Sequence, residues 1–165
     1  MPKITVYTDG GTRNTGNFKG GKVKSTDLAA WAYLITYDDK KFYASDGVLG
    51  ATNNQMELTG LLKALQKLKS SHGNHFPITL YSDSKYIIDA INQHWLDNWA
   101  KKNWRKSNGK IVLNQGLWKE IYSLLKSFSQ ITFIWVKGHS NNVGNNFVDW
   151  ALNRTMDKMK SMSLK

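Results

Sequence analysis

Asp9, Glu57, Asp83 and Asp149 come from four separate stretches of this chain, each where a strand-like segment ends or a helix-like segment begins. Strand ends in an α/β sheet open onto a shared crevice, so acids placed there can converge. Converging carboxylates repel, and the repulsion raises their pKa values unless a cation is shared among them. A hard divalent ion resolves the conflict. Magnesium takes oxygen ligands and keeps waters for substrate phosphates, and two such ions about 3.5–4 Å apart support the attacking and leaving oxygens of an in-line displacement. Taken singly, each acid has a plainer reading: an Asp at a strand end as a turn former, a Glu in a first helical turn as a dipole partner.

The elements that must carry these acids are legible from periodicity. Lys3 to Asp9 alternates as a strand does, and Gly10-Gly11 breaks the pattern, so Asp9 is expected to end the first strand. Thr12 to Asp27, rich in Gly, Asn, Lys and Thr, reads as a long loop. Ala29–Tyr37 and Lys41–Leu49 read as a hairpin across Asp38-Asp39-Lys40. Leu58, Leu61, Leu62, Leu65 and Leu68 repeat at helical spacing behind the capping-type residues Thr52 and Asn53, which puts Glu57 early in that helix.

After Pro77 the run Ile78–Tyr81 is a short strand passing through Ser82-Asp83-Ser84 into a helix. Leu117, Trp118, Ile121, Leu124, Leu125 and Phe128 mark another helix, and Ile131–Val136 the last strand. Gly138 to Asn146 reads as a polar loop before a terminal helix carrying Asp149 on its first part, with a tail after Asp157 expected to fray. Three strands followed by helix, strand, helices, strand and helix predict an antiparallel portion continued by α/β crossovers.

Composition narrows the function classes. The 165 residues, 41% hydrophobic, suit one domain with a core and leave little room for two. There is no cysteine, which excludes disulfides, thiolate nucleophiles and cysteine zinc sites. No signal peptide or membrane span is read in the sequence, so cytoplasmic residence is expected. A net charge of +11 points to a polyanion, and nucleic acid before a membrane surface. The charge is clustered, with five basic residues in the ten from Lys101 to Lys110. Trp95, Trp99 and Trp104 fall beside them, a combination suited to a nucleic-acid groove, although Trp95 and Trp99, four apart, also fit one core-facing side of a helix.

Tyr7-Thr8-Asp9-Gly10-Gly11, Thr52-Asn53-Asn54-Gln55-Met56-Glu57-Leu58, Ser82-Asp83-Ser84-Lys85-Tyr86 and Trp135-Val136-Lys137-Gly138-His139-Ser140 resemble, in order, the signature segments of the ribonuclease HI family. The resemblance covers nearly the whole chain. It implies an α/β, ribonuclease H-like fold: a mixed five-stranded sheet, its first three strands antiparallel, with helices on both faces. It implies cleavage of the RNA strand of RNA–DNA hybrids with two Mg²⁺ ions per site, Mn²⁺ being a possible substitute, leaving 5′-phosphate and 3′-hydroxyl ends. Asp9, Glu57, Asp83 and Asp149 are then the metal-binding acids, and His139, in a glycine-flanked loop, has an auxiliary proton-shuttling role.

By the same likeness Trp95, Asn98, Trp99, Lys101, Lys102, Arg105 and Lys106 form the basic protrusion that holds the DNA strand. Thr52 and Asn114 match positions that hold a DNA phosphate, and Asn53, Asn54 and Met56 lie where the minor groove passes and 2′-hydroxyls can be recognised. The chain departs from several relatives at Gly50, where they place an arginine, and at Lys85, where some place a glutamine. A hybrid duplex is the expected partner of a monomer, with no obligate protein partner. Two rivals are weighed. A non-cutting binder of the same fold has no use for clustered acids, and another polynucleotidyl transferase, such as an integrase or junction resolvase, would show a different acidic spacing.

Overall fold

The computed structural model describes residues 3–13, 22–138 and 140–163. Five strands, β1 (Ile4–Arg13), β2 (Leu28–Tyr37), β3 (Lys40–Leu49), β4 (Ile78–Ser82) and β5 (Ile131–Trp135), lie side by side in the order β3-β2-β1-β4-β5. The first three pair antiparallel, while β4 runs parallel to both β1 and β5. The helices are α1 (Asn53–Ser70), α2 (Lys85–Asn92), α3 (Trp95–Lys101), α4 (Gln115–Leu125) and α5 (Val143–Ser163). The expected mixed sheet with helices on both faces is thus found.

Side-chain alternation along the strands builds two cores. Ile4, Val6, Tyr33, Ile35 and Leu80 face Leu58, Leu61, Leu65 and Leu68 of α1, together with Ile87, Trp118 and Ile121. On the opposite face Ala30, Ala32 and Leu34 meet Val148, Ala151, Leu152 and Met156 of α5. The alanines of β2 are small enough to let α5 lie close to the sheet. Each fully buried leucine of α1 contributes about 1.5–3 kcal/mol of transfer free energy. α1 begins where the sequence predicts: Thr52 Oγ1 accepts from the Gln55 amide at 3.1 Å and Gln55 Oε1 accepts from the Thr52 amide at 2.8 Å, a reciprocal cap.

Three expectations are corrected. Asp9 does not end its strand, because Gly10, Gly11, Thr12 and Arg13 continue the ladder opposite Trp31, Ala30, Ala29 and Leu28. Thr12 and Arg13, expected in a loop, thus belong to β1, and residues 14–21 lie outside the described residues. α5 starts at Val143 rather than after Asn146, since Asn142 Oδ1 accepts from the Asn145 amide at 2.8 Å and the Asn146 amide reaches the Asn142 carbonyl at 3.0 Å. The helix also continues past Asp157 to Ser163, held by an Arg13–Asp157 ion pair of 2.8 Å and by Met159 lying over Gly47. Among the described residues no helix is long and apolar enough to cross a membrane.

Candidate active site and nucleic-acid interface

Two glycines set the approach of α1 to the sheet. A Cβ on Gly10 would overlap the backbone of Met56 and Glu57, and one on Gly60 would lie 2.8 Å from the Asp9 carbonyl oxygen. Without side chains at both positions, backbone meets backbone, and Glu57 is brought beside Asp9. Asp83 arrives from the adjoining parallel strand, in the short connection from β4 to α2. Its carbonyl accepts from Trp135 Nε1 at 3.1 Å at the end of β5, and Gly138 passes close to its carboxylate. The next residue, Ser84, caps α2 by accepting from the Ile87 amide at 3.3 Å.

Asp9, Glu57 and Asp83 each offer a carboxylate oxygen, and these lie within 4.8 Å of one another. Asp9 is buried, and burial followed by the Asp83 charge pushes its pKa up to about 8, with Asp149 and Glu57 adding to the rise and the Gly10 amide, 2.8 Å from Oδ1, opposing it. Glu57 is pushed up to about 7, mainly by burial and then by Asp83, against a hydrogen bond donated by Ser84. Both shifts say the same thing: desolvated acids face one another across a gap in which a positive charge would be strongly stabilised. The donor set is all oxygen, as a hard divalent cation prefers.

Asp149 stands in the second turn of α5, outside that tight trio but near enough for its charge to act on Asp9. Its Oδ1 accepts from Asn153 Nδ2 at 3.4 Å, one turn along the helix. Of the four acids of the sequence reading, Glu57 and Asp83 thus meet Asp9 directly and Asp149 acts on it from α5. His139 lies outside the described residues.

Comparison with known proteins places this geometry in context. The family model described as RNase H matches residues 1–156. A ribonuclease H of Clostridium botulinum is 40% identical over 96% of this chain and 98% of its own length, and one of Ruthia magnifica is 38% identical over 98% and 100%. The chain belongs to the ribonuclease H family. It is accordingly an endoribonuclease, a hydrolase of phosphodiester bonds. Among solved structures, LC9-RNase H1 shares the fold with a TM-score of 0.78 at 21% identity, covering 96% of this chain and 74% of that one. LC11-RNase H1, solved in complex with an RNA/DNA hybrid, gives 0.68 at 20% identity over 95% and 99%.

In this ribonuclease H family member the expected substrate-contacting residues fall in two groups. Thr52, Asn53 and Asn54 are exposed at the start of α1, one turn before Glu57. Thr52 already serves as the cap, and Asn53 Oδ1 accepts from the Thr12 amide at 2.8 Å, tying the end of β1 to the helix. Met56 requires correction: it is 5% exposed and packed with Ala29, Ala51 and Trp31, because its position in the helix turns it toward the sheet rather than a groove. Gly50 takes φ +80°, with the Ser25 backbone 3.1 Å from where a Cβ would stand, so an arginine, expected at this place from the family resemblance, would be strained here.

The second group is the basic protrusion. Asn98, Lys101, Lys102, Arg105 and Lys106 are exposed, and the last two enter a small hairpin closed by the Arg105–Ile111 bridge. Trp95 and Trp99 serve the core in part: both pack on Tyr86 at 6.4 and 6.5 Å, and Trp99 meets Trp118 edge-on at 5.6 Å, while each remains half-buried. Half-buried Asn114 precedes α4 with φ 60°, and its side chain makes no capping bond to that helix.

Sequence reasoning missed the residues that act through others. Ser84 hydrogen-bonds Glu57, and its one signal is its place just ahead of a helical run, which marks a cap and says nothing of Glu57. Gly10 and Gly60 set the contact of helix and strand, and Gly60 gave no local signal.

Proposed function

We propose that the chain hydrolyses the RNA strand of RNA–DNA hybrids at the Asp9–Glu57–Asp83–Asp149 cluster with two Mg²⁺ ions, leaving 5′-phosphate and 3′-hydroxyl ends. The observation that carries the reading is the trio of carboxylate oxygens within 4.8 Å, two of whose acids are held above their ordinary range by burial and by the neighbouring carboxylate charges. When bound, the two ions supply Lewis-acid stabilisation to the attacking and leaving oxygens of an in-line displacement. Asp9 and Asp83 would be the central ligands; Glu57, hydrogen-bonded by Ser84, would position the nucleophilic side, and Asp149 would complete the second metal site from α5. His139 is assigned the proton transfer to or from the reacting phosphate.

The exposed amides of Asn53 and Asn54 would read 2′-hydroxyls, and Thr52 and Asn114 would hold a DNA phosphate. Lys101, Lys102, Arg105 and Lys106 would neutralise phosphates of the DNA strand, with Trp95, Asn98 and Trp99 lining its path. In this reading the chain acts as a single catalytic domain, monomeric and cytoplasmic, and Mn²⁺ can replace Mg²⁺. Incubating a hybrid labelled on both strands with chelator and with Mg²⁺ tests it. Cleavage confined to the RNA strand and to the magnesium arm is expected; cutting of both strands, or cutting under chelator, would refute it.

A further inference from the structure

The outer face of α5 carries a surface that the catalytic reading does not use. Trp150, Arg154 and Lys158 follow one another at i, i+4 spacing, about 6 Å apart along the helix, all exposed. Beside them the edge strand β3 presents Lys41, Tyr43 and Ser45 on the same side of the sheet. The aromatic rings form a continuous line: Tyr43 meets Phe147 edge-on at 5.1 Å, and Phe147 meets Trp150 at 5.6 Å. Tyr43 is 59% exposed and Trp150 48%, so ring surface is left for a further partner. The Arg154 guanidinium lies 5.4 Å from the Trp150 ring centre.

Two hollows flank Tyr43. One, of about 210 Å³, is bounded by Trp150, Arg154, Thr155 and Lys158; the other, of about 400 Å³, by Tyr7, Lys41, Val143 and Phe147. Among the described residues no acidic side chain lines either hollow. Of the two acids on α5, Asp149 belongs to the carboxylate cluster and Asp157 pairs with Arg13 at 2.8 Å. In the floor of the smaller hollow the hydroxyls of Ser45 and Thr155 meet at 2.7 Å, a pair able to give and accept hydrogen bonds.

Exposed rings in line, cations at regular intervals and no opposing acid are what a single-stranded polynucleotide needs: bases stack on the rings and phosphates meet the cations. A duplex hides its base faces and could not use the rings. Trp150 directly follows Asp149, so the strand that reaches this face is the one that passes the acids. We propose that the Tyr43–Phe147–Trp150 line with Lys41, Arg154 and Lys158 binds a single-stranded extension of the RNA strand, which makes hybrids with an RNA overhang preferred over blunt ones. The inference rests on the ribonuclease reading for the choice of strand.

Steady-state cleavage of a blunt hybrid is compared with hybrids carrying a tail of about ten nucleotides on the RNA or on the DNA strand. The RNA tail is expected to lower KM about tenfold, the effect of one or two stacked bases. Trp150→Ala and the exposed-cation pair Arg154→Ala/Lys158→Ala should each remove most of that gain and leave kcat and KM on the blunt hybrid unchanged. Equal KM with and without the RNA tail, the same gain from a DNA tail, or a loss in the variants that is equal on blunt and tailed substrates would each overturn the proposal. Anisotropy of a fluorescein-labelled single-stranded RNA under chelator reads the same surface without turnover. Binding abolished in both variants supports the site even if cleavage of hybrids is not found, and binding unaltered in both removes it.

Discussion

The α-carbon of Gly60 faces the carbonyl of Asp9 so closely that a methyl group there would stand 2.8 Å from the oxygen. Helix α1 and strand β1 thus touch through their backbones, and the separation of the Glu57 and Asp9 carboxylates is set by two missing side chains rather than by any bond between them. Gly10→Ala adds a methyl that meets only backbone of Met56 and Glu57, which no rotamer change relieves. Overpacking of this kind costs about 1–3 kcal/mol. Gly60→Ala should behave alike, lowering Tm by about 2–4 °C per kcal/mol and cutting kcat. Thermal melts alongside cleavage rates check both, and a variant with wild-type Tm and kcat would contradict the close approach.

Asp9→Asn and Asp83→Asn remove a charge from the cluster while keeping its shape. Cleavage should fall below detection, with hybrid affinity and the circular dichroism spectrum retained. Under chelator, Asp9→Asn should melt higher than the parent at pH 8, because the buried carboxylate is unfavourable without a cation. Undiminished turnover in either variant would remove that acid from the metal site.

The pH dependence of stability has a defined sign. Asp9, with an ordinary value of 3.8, is held at about 8, and Glu57, ordinarily 4.5, at about 7. Between these limits the folded protein holds protons that the unfolded chain has released, so the stabilisation is complete below about pH 4 and is lost as pH rises through 7 to 8. Metal-free protein should therefore lose Tm from pH 5 to 8 through these groups, and Mg²⁺ should restore more of it the higher the pH. Melting curves with chelator and with Mg²⁺ across that range give the comparison; a magnesium increment that shrinks with rising pH would contradict it.

Neutralising the basic protrusion should weaken hybrid binding without touching the chemistry. Lys101→Ala, Lys102→Ala, Arg105→Ala and Lys106→Ala are each expected to raise KM, leave kcat in place and reduce the slope of log affinity against log salt by about one for each phosphate that is no longer neutralised. Titrations at several salt concentrations measure the slope. A slope identical to that of the parent in all four variants would place the DNA strand elsewhere.

Much of this was legible from residue order. Thr52 and the leucine spacing after it locate α1 and hence Glu57, and the passage from Ile78–Tyr81 into Ser82-Asp83-Ser84 locates Asp83 between strand and helix. What escaped depended on partners far along the chain. Gly10 and Gly11 look like a strand break until β2 supplies Trp31 and Ala30 opposite them. Gly144, Asn145 and Asn146 look like loop because they are polar, yet Asn142 caps a helix there and Gly144 sits against the Tyr7 ring. The family likeness puts Met56 along the minor groove with Asn53 and Asn54, whereas the turn of the helix carries it inward.

The packing of α5 across the sheet also bears on when the cutting centre can exist. Asp9 is translated early and Asp149 some 140 positions later, and the helix bearing Asp149 seats on the alanines of β2 with further contacts to β1 and β3. A polypeptide still growing on a ribosome, surrounded by RNA, therefore lacks one corner of its charge cluster until that helix has emerged and docked.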